Sequence, residues 1–433
     1  MNSKSKPSVK NKVVAIIGLG YVGLPLALLT NKRGYKVIGI DIDKELIKKI
    51  NNGISPILNK KNEKALHETK ITASNDYDLT KKANIIIVCV PTPVNDSKQP
   101  DFKPLIESCK EIGKRLNKGQ LIILESTVNP GAIKEIVVPV LEKYSGLTVN
   151  KDFHVSHCPE RIDPGSSKWD VENIPRVIGS LDKAGLTQTK IFYKSILNAP
   201  LKTMDTIEEA EAVKIFENSF RDVNIAFVNE FAISFSKFGI NILNVIEGAS
   251  TKPFAFLPHY PGCGVGGHCV PVDPYYMIDY AKRNGFNHAL LALARKINNN
   301  MPKYTVEITV DALKKSKIQI QKATVAVLGL AYKKGVVDTR ESPSYIIIDL
   351  LKKRGLKVKI YDSKVSMKSS SKTLLDAMRG VSAVIIATDH DEFRTLKPKY
   401  FLSNGIKIII DGRNCLNKEE FIKSGIYYRG IGV

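Results

Sequence analysis

The sequence predicts an α/β protein with two doubly wound domains joined by a long central helix. Two observations carry that expectation. Short, continuous apolar runs recur in both halves, at 12–17, 36–40, 83–90 and 121–124 and again at 323–328, 357–361, 381–387 and 406–410. Their length and unbroken hydrophobicity are those of parallel strands buried on both faces. Between the halves, 206–238 carries a helical pattern with Glu208, Glu209 and Glu211 in its first turns, where the helix dipole favours acids. With 433 residues, 43% of them hydrophobic, the chain can fill more than one core. The expected division is 1–201, then a central helical region over 202–310, then 311–433.

The first strand, 12–17, runs into Gly18, Leu19, Gly20, Tyr21, Val22 and Gly23, and an apolar helix follows over 24–31. Gly34 ends that helix, and the second strand, 36–40, stops at Asp41. Strand, GxGxxG, helix, strand and acid in this order make the dinucleotide fingerprint of a Rossmann-like fold. The glycines allow a tight turn and close approach of a pyrophosphate, which the helix N-terminus holds. Asp41 is placed to bind a ribose 2′-hydroxyl, and its charge would repel a 2′-phosphate, so the expected cofactor is NAD. Farther on, Thr92 and Thr127 follow strand ends, where ligands of open α/β sheets sit. Each hydroxyl either touches a cofactor or stabilises its own turn. Cys89, inside a strand run, reads as core.

His157-Cys-Pro-Glu160-Arg161 precedes Asp163, Pro164 and Gly165. An acid and an arginine between prolines suggest a ligand-facing edge, with a surface ion pair as the alternative. On the central helix Lys214, Asn218 and Arg221 recur on one face. Ala212, Ile215, Phe216 and Phe220 lie on its apolar side, and Phe227, Phe231, Phe235 and Phe238 extend that side as a core, a spine or a dimer contact.

The stretch 261–274 reads PGCGVGGHCVPVDP. Gly262, Gly264, Gly266 and Gly267 let the backbone approach a ligand. Cys269 stands four residues before Asp273, the spacing of a nucleophile with an acid–base partner on a stiff loop. A buried structural cysteine in a tight turn is the alternative. A metal site over His259, Cys263, His268 and Cys269 is not expected, because the spacing fits no common zinc pattern.

The C-terminal third begins with a strand over 323–328 and Gly329, then a polar loop carrying Lys333 and Arg340, a helix over 343–354 and a strand ending at Asp362. This second βαβ unit lacks GxGxxG.

The bulk composition bounds the rest. The chain has 65 basic and 43 acidic residues, a formal charge of +22, with lysines spread over its whole length. No basic helix with interleaved aromatics stands out, so nucleic acid is not expected, while an anionic small substrate is favoured by steering. The first twelve residues have no apolar stretch, and no run reaches the length of a membrane span. The expected setting is a reducing cytoplasm.

Together these motifs give a specific resemblance. GLGYVGLP at 18–25, PTP at 91–93, ST at 126–127, PER at 159–161, KxxxNxFR at 214–221, GGHCVPVDP at 266–274 and GxxYKxxxxDxRES at 329–342 occur in order over nearly the whole chain. The chain resembles the UDP-sugar 6-dehydrogenases, the family of UDP-glucose and UDP-N-acetylhexosamine dehydrogenases. KPF at 252–254 and YPG at 260–262 are more similar to the UDP-N-acetylglucosamine branch than to the UDP-glucose branch. Two positions depart from the pattern: Cys263 stands where the family usually has Pro, and Cys158 where it usually has Ser. Either is a conceivable disulfide partner for Cys269.

The resemblance implies two Rossmann-like domains and a homodimer or higher oligomer through the central helix, with the site between the domains. It implies a four-electron oxidation of a UDP-sugar C6 alcohol to a carboxylate with two NAD, through a thiohemiacetal and a thioester on Cys269. UDP-N-acetylglucosamine is the expected substrate, with UDP-N-acetylmannosamine or UDP-glucose as alternatives. A non-catalytic NAD-binding regulatory protein is the rival from another class. The implied catalytic set is Cys269, Lys214, Asn218, Asp273, Thr127 and Glu160. Gly18, Gly20, Tyr21, Val22, Gly23, Asp41, Thr92, Thr127 and Arg340 would bind cofactor. Glu160, Arg161, Lys214, Asn218, Arg221, His259, Tyr260, Gly266 and Lys333 would bind substrate.

Overall fold

A computed structural model describes residues 12–55, 60–69, 71–95, 97–162 and 168–433, leaving the side chains of 60–62 aside. The N-terminal eleven residues and the expected edge at Asp163, Pro164 and Gly165 lie outside the described residues. The chain divides into two compact units, 1–217 with 275–286, and 218–274 with 287–433.

The first unit holds an eight-stranded sheet. Its strands are β1 (Val13–Ile17), β2 (Lys36–Ile40), β3 (Ile71–Ser74), β4 (Ile85–Val88), β5 (Leu121–Leu124), β6 (His154–His157), β7 (Arg176–Ser180) and β8 (Leu201–Thr203). The order is β3-β2-β1-β4-β5-β6-β7-β8. All neighbours are parallel except β6 and β7. The strand order reverses between β1 and β4, which opens a crevice at their carboxyl ends. Alternation across the pleat explains the unbroken apolar runs: Val14 and Ile16 enter one core, Ala15 and Ile17 the other.

The second unit holds β9 (Thr324–Leu328), β10 (Lys357–Tyr361), β11 (Ala383–Ile386), β12 (Ile408–Asp411) and β13 (Tyr427–Gly430), all parallel, in the order β10-β9-β11-β12-β13. Val325 and Val327 face one core, Ala326 and Leu328 the other. Both sheets are those of Rossmann-like domains, as the apolar runs predict.

The central helix is Ile207–Phe238. A second long helix, Ala289–Lys315, continues through Pro302. It is absent from the sequence expectation. The proline and the polar run before it obscure the period, and burial of Met301, Thr305, Val306 and Thr309 overrides that local cost.

The faces of the central helix depart from expectation. Lys214 and Asn218 are buried, whereas Arg221 is exposed, so the three do not share one environment. The aromatic stripe is not core within the chain. Phe216, Phe227 and Phe238 are 74%, 57% and 69% exposed. Phe227, Phe231 and Phe235 pack ring on ring along the surface, with centroids 4.7 and 5.1 Å apart. The period places these rings on one face; Phe235 packs against the core of the second unit, while Phe227 and Phe231 stay exposed.

Candidate active site

The fingerprint turn is built by sterics. Gly18 has φ +90°, and a Cβ there would lie 2.8 Å from the Cys89 carbonyl oxygen. A Cβ on Gly23 would fall 1.8 Å from the Gly18 carbonyl oxygen, so nothing larger lets the helix start so close to the strand. A Cβ on Gly20 would meet nothing within 4 Å, so its bareness serves the space in front of the turn. The helix Gly23–Lys32 begins after Val22, which supplies no side-chain cap. Leu24 N–H bonds the Gly20 carbonyl at 3.1 Å, and the N–H groups of the turn just before it are those a pyrophosphate would take. Tyr21 is 36% exposed beside them. Asp41 closes β2, where its Oδ2 accepts the Leu19 N–H at 2.7 Å and its Oδ1 accepts the Asp43 N–H at 3.0 Å. Both bonds hold the carboxylate at the turn and leave lone pairs for a ribose. The residues present fit NAD.

Beyond β4 and β5, Thr92 donates its hydroxyl proton to the Thr127 carbonyl at 2.7 Å. Thr92 thus ties two strand-end loops together, and only its oxygen lone pairs remain for a ligand. Tyr276 donates to the Thr92 carbonyl at 2.5 Å. The following segment is fixed by Glu211, which is fully buried and accepts from Gly131 N–H at 2.7 Å and Ile133 N–H at 2.9 Å. Burial pushes its carboxyl up to about 7, against the pull of those two N–H groups. The acid expected for the dipole alone therefore has a second task, holding the segment after Thr127.

Lys214 donates to the Glu160 carbonyl oxygen at 2.5 Å and stands 3.6 Å from the Glu160 carboxylate. Burial raises the Glu160 carboxyl, and Lys214 and Arg176 pull against that rise. Beneath it lies a polar cluster hidden from the sequence reading. Arg176 and Glu125 pair at 3.1 Å with side chains fully buried, and Tyr193 donates to Glu125 at 2.5 Å. The Cys158 thiol is buried against the same groups and pushed up to about 12. Arg161 is engaged by a bidentate pair with Glu217 and donates to the Pro175 carbonyl at 2.9 Å.

In the second unit, the stretch 261–274 forms a loop that its glycines permit. Gly264 and Gly267 have φ of +130° and +90°. A Cβ on Gly266 would meet Tyr332 at 2.8 Å and the Glu341 carbonyl oxygen at 2.9 Å. Half-buried Cys269 accepts the Val272 and Asp273 N–H groups at its carbonyl, at 3.0 and 2.8 Å, which folds the exit over it. Asp273 opens the helix Asp273–Arg283 and is 2% exposed, and its Oδ2 accepts the Asn218 amide at 2.6 Å.

A buried polar chain holds the loop entrance. Gly262 N–H donates to Asn229 at 3.0 Å, Asn229 to Asn298 at 2.9 Å, and Asn298 to Asp222 at 2.8 Å. Arg295 closes it with a 2.6 Å bond to Asp222. Asn218, Asp222 and Asn229 recur on one face of the helix, and that spacing is the signal that could have found them.

The loop faces an open pocket of the second unit lined by Tyr260, Gly262, Gly266, Tyr332, Lys333 and Arg413. Arg413 is the lining residue that the sequence reading passed over. Its Nε donates to the Ala387 carbonyl at 2.9 Å, and its Nη2 lies 3.4 Å from the Tyr332 carbonyl. The Arg340 guanidinium grips Asp338 at 2.6 and 3.0 Å, and the Arg340 carbonyl accepts the Gly267 N–H at 3.0 Å. His259 packs edge-on to Phe220 at 6.2 Å and lies 2.9 Å from the Leu257 carbonyl. Tyr260 is 62% exposed.

None of the six cysteines is joined in a disulfide. Cys263 is fully buried, with Sγ 3.5 Å from the Gly412 carbonyl, and burial raises its thiol. No disulfide joins Cys269 to Cys158 or Cys263. Among the described residues, no helix is long and apolar enough to cross a membrane.

Three family models match in sequence order. They are the NAD-binding, central and UDP-binding domains of the UDP-glucose/GDP-mannose dehydrogenase family, over residues 12–197, 208–300 and 326–418. The chain belongs to this family. As a member it is an NAD-dependent UDP-sugar dehydrogenase, an oxidoreductase, and the fingerprint around Gly18–Gly23 lies in its NAD-binding domain. It is 37% identical over 424 residues to the UDP-N-acetyl-D-mannosamine dehydrogenase of Pyrococcus horikoshii, covering 97% of this chain and 99% of that one. It is 36% identical over 394 residues to the UDP-N-acetyl-D-glucosamine 6-dehydrogenase of Pseudomonas aeruginosa, covering 90% and 93%. The solved structure of the Pyrococcus horikoshii enzyme superposes with a TM-score of 0.91 at 36% identity over 97% of this chain and 99% of that one. The UDP-N-acetyl-mannosamine dehydrogenase Cap5O of Staphylococcus aureus gives 0.85 at 33% over 97% and 98%. The Rossmann-like fold, the enzyme class and the NAD requirement expected from the motifs stand in this dehydrogenase family.

Proposed function

We propose that this dehydrogenase oxidises the C6 alcohol of a UDP-N-acetylhexosamine to the carboxylate, with Cys269 as a covalent nucleophile. The observation that carries the reading is the loop at Cys269. Its exit folds over the cysteine carbonyl, and the buried Asp273–Asn218 pair follows at once. A structural cysteine does not require a buried carboxylate and amide held to one another beside it.

NAD, held at Gly18–Gly23 and Asp41, supplies the hydride acceptor for each two-electron oxidation. Cys269 holds the carbon between the two oxidations. Its thiolate adds to the C6 aldehyde, forming a C–S bond and an oxyanion that takes a proton to become a thiohemiacetal. Loss of a hydride and a proton from that adduct leaves the thioester, and water then cleaves the C–S bond to give the carboxylate and the free thiol. Lys214 and Asn218 stabilise the oxyanions. Asp273 accepts the proton of the attacking water, and its bond to Asn218 orients both groups. Glu160 holds Lys214 in place through its carbonyl and carboxylate, and Thr127 helps to hold the water.

Lys333 and Arg413 line the pocket proposed for the UDP end, since a diphosphate asks for two cations on one wall. Arg340, already gripping Asp338, acts on the pocket through Gly267. The exposed rings of Phe216, Phe227 and Phe231 suit a second copy of the chain, so the working form is a homodimer or larger.

Between epimers, we favour UDP-N-acetylmannosamine, because relatives with that name match 97% of the chain, ahead of UDP-N-acetylglucosamine. The test is NADH production at 340 nm with both sugars and with UDP-glucose in parallel. An N-acetylhexosamine should exceed UDP-glucose in kcat/KM by at least about tenfold. A preference for UDP-glucose would refute the substrate class.

A further inference from the structure

The two Rossmann-like sheets carry an aspartate at the same place, immediately after their second strand: Asp41 after β2 and Asp362 after β10. Their surroundings differ. Asp41 is half-buried, with one backbone N–H on each oxygen, from Leu19 and from Asp43. Asp362 is fully buried. Its Oδ2 accepts the Leu330 and Ala331 N–H groups at 2.6 and 2.9 Å and also meets His390 Nε2 at 3.1 Å. His390 is 2% exposed. His390 thus takes up bonding capacity that such an acid would otherwise offer to a ribose hydroxyl.

The other ring nitrogen fixes the protonation pattern. Gly335 N–H donates to His390 Nδ1 at 3.1 Å, so Nδ1 must carry a lone pair, and the ring proton sits on Nε2 and goes to Asp362. From the same segment, Thr388 donates its hydroxyl proton to the Ala331 carbonyl at 2.5 Å. The loop from Gly329 to Gly335 is therefore clamped near both ends from one short stretch, Thr388–His390. Tyr332 and Lys333, which line the pocket, lie between the clamps.

We propose that His390 is a positioning residue for the substrate diphosphate: its neutral imidazole bridges Asp362 and Gly335 and so holds Lys333 in place. The inference rests on the reading that Lys333 meets the UDP end. Nothing in this role touches the reacting carbon, so binding of the nucleotide should suffer and the chemical step should not.

The experiment is calorimetric binding of UDP to the full-length protein, together with kcat and KM for the UDP-sugar. His390→Leu keeps bulk but leaves the Gly335 N–H without its acceptor. It should weaken UDP and raise KM by about tenfold, with kcat within about threefold and the NADH dissociation constant unchanged. His390→Gln offers one donor and one acceptor from a single side chain and should recover most of the affinity. Thr388→Val, nearly isosteric, removes the second clamp and should weaken UDP in the same sense, which keeps the test open if the leucine variant does not fold. Lys333→Met is the control for the underlying reading. If Lys333→Met weakens UDP but His390→Leu and Thr388→Val do not, the clamp is refuted and the pocket stands. If Lys333→Met leaves UDP unchanged, both readings fall. Equal losses in UDP affinity, NADH affinity and kcat would mark His390 as merely structural and overturn the proposal.

Discussion

Replacing Arg176 with methionine leaves Glu125 as a buried carboxylate that keeps the Tyr193 hydroxyl as a side-chain donor. Both members of the pair have zero side-chain exposure, so water cannot take the place of the guanidinium. Breaking a buried pair from one side costs about 3–5 kcal/mol, because the charge left behind stays desolvated. The single tryptophan, Trp169, lies in the first unit and reports that unit by fluorescence. With a urea slope of about 2–3 kcal/mol per molar, the midpoint should fall by about 1–2 M. Adding Glu125→Gln to Arg176→Met removes the orphaned charge and should recover more than half of the loss. Arg176 also pulls the Glu160 carboxyl down against burial. Its removal should therefore push Glu160 further up and move the acid limb of kcat/KM to higher pH. A midpoint change below about 0.3 M for Arg176→Met, or a double variant weaker than the single, would refute the claim that the pair is closed from solvent.

Three other outcomes follow from the same structure. Glu211, pushed up to about 7 against an unfolded value of 4.5, binds more protons folded than unfolded between those limits, so its contribution is present below 4.5 and lost as pH rises through 7. Relative to Glu211→Gln, the wild type should lose about 3 kcal/mol between pH 5 and 8 in urea unfolding, and a constant difference would contradict the raised carboxyl. Asp41→Asn removes the charge facing a 2′-phosphate and should narrow the preference for NAD over NADP by at least about tenfold, while an unchanged ratio would remove Asp41 from the cofactor site. Asn218→Leu strips Asp273 of its 2.6 Å donor, and kcat should fall about a hundredfold with KM for NAD unmoved.

The legible part of this protein is what a local pattern carries. β1, β4 and β5 read as strands because both faces are buried, and the GxGxxG turn reads because steric closeness of Gly18 and Gly23 admits no side chain. β3, β6, β7, β8 and β13 did not read as strands. They are three to five residues long, and Thr72, Arg176, Lys202 and Arg429 interrupt their apolar character. Arg176 shows the reason most sharply: an arginine at the start of a strand looks solvated until Glu125, 51 residues away in sequence, is found beside it. The same limit hid the chain Gly262–Asn229–Asn298–Asp222 and the clamp at His390, whose partners are 28 and 55 residues distant. Arg221 is exposed where Lys214 and Asn218 are buried, because a shared helical face does not imply shared burial along 32 residues.

In the proposed mechanism Cys269 carries the carbon between two oxidations. The most direct test is the number of NADH formed per UDP-sugar consumed to completion, in the wild type and in Cys269→Ser. The mechanism predicts two NADH and one carboxylate per sugar in the wild type, and no carboxylate in the variant. One NADH per sugar with an aldehyde as product, or normal carboxylate formation without the thiol, would contradict it.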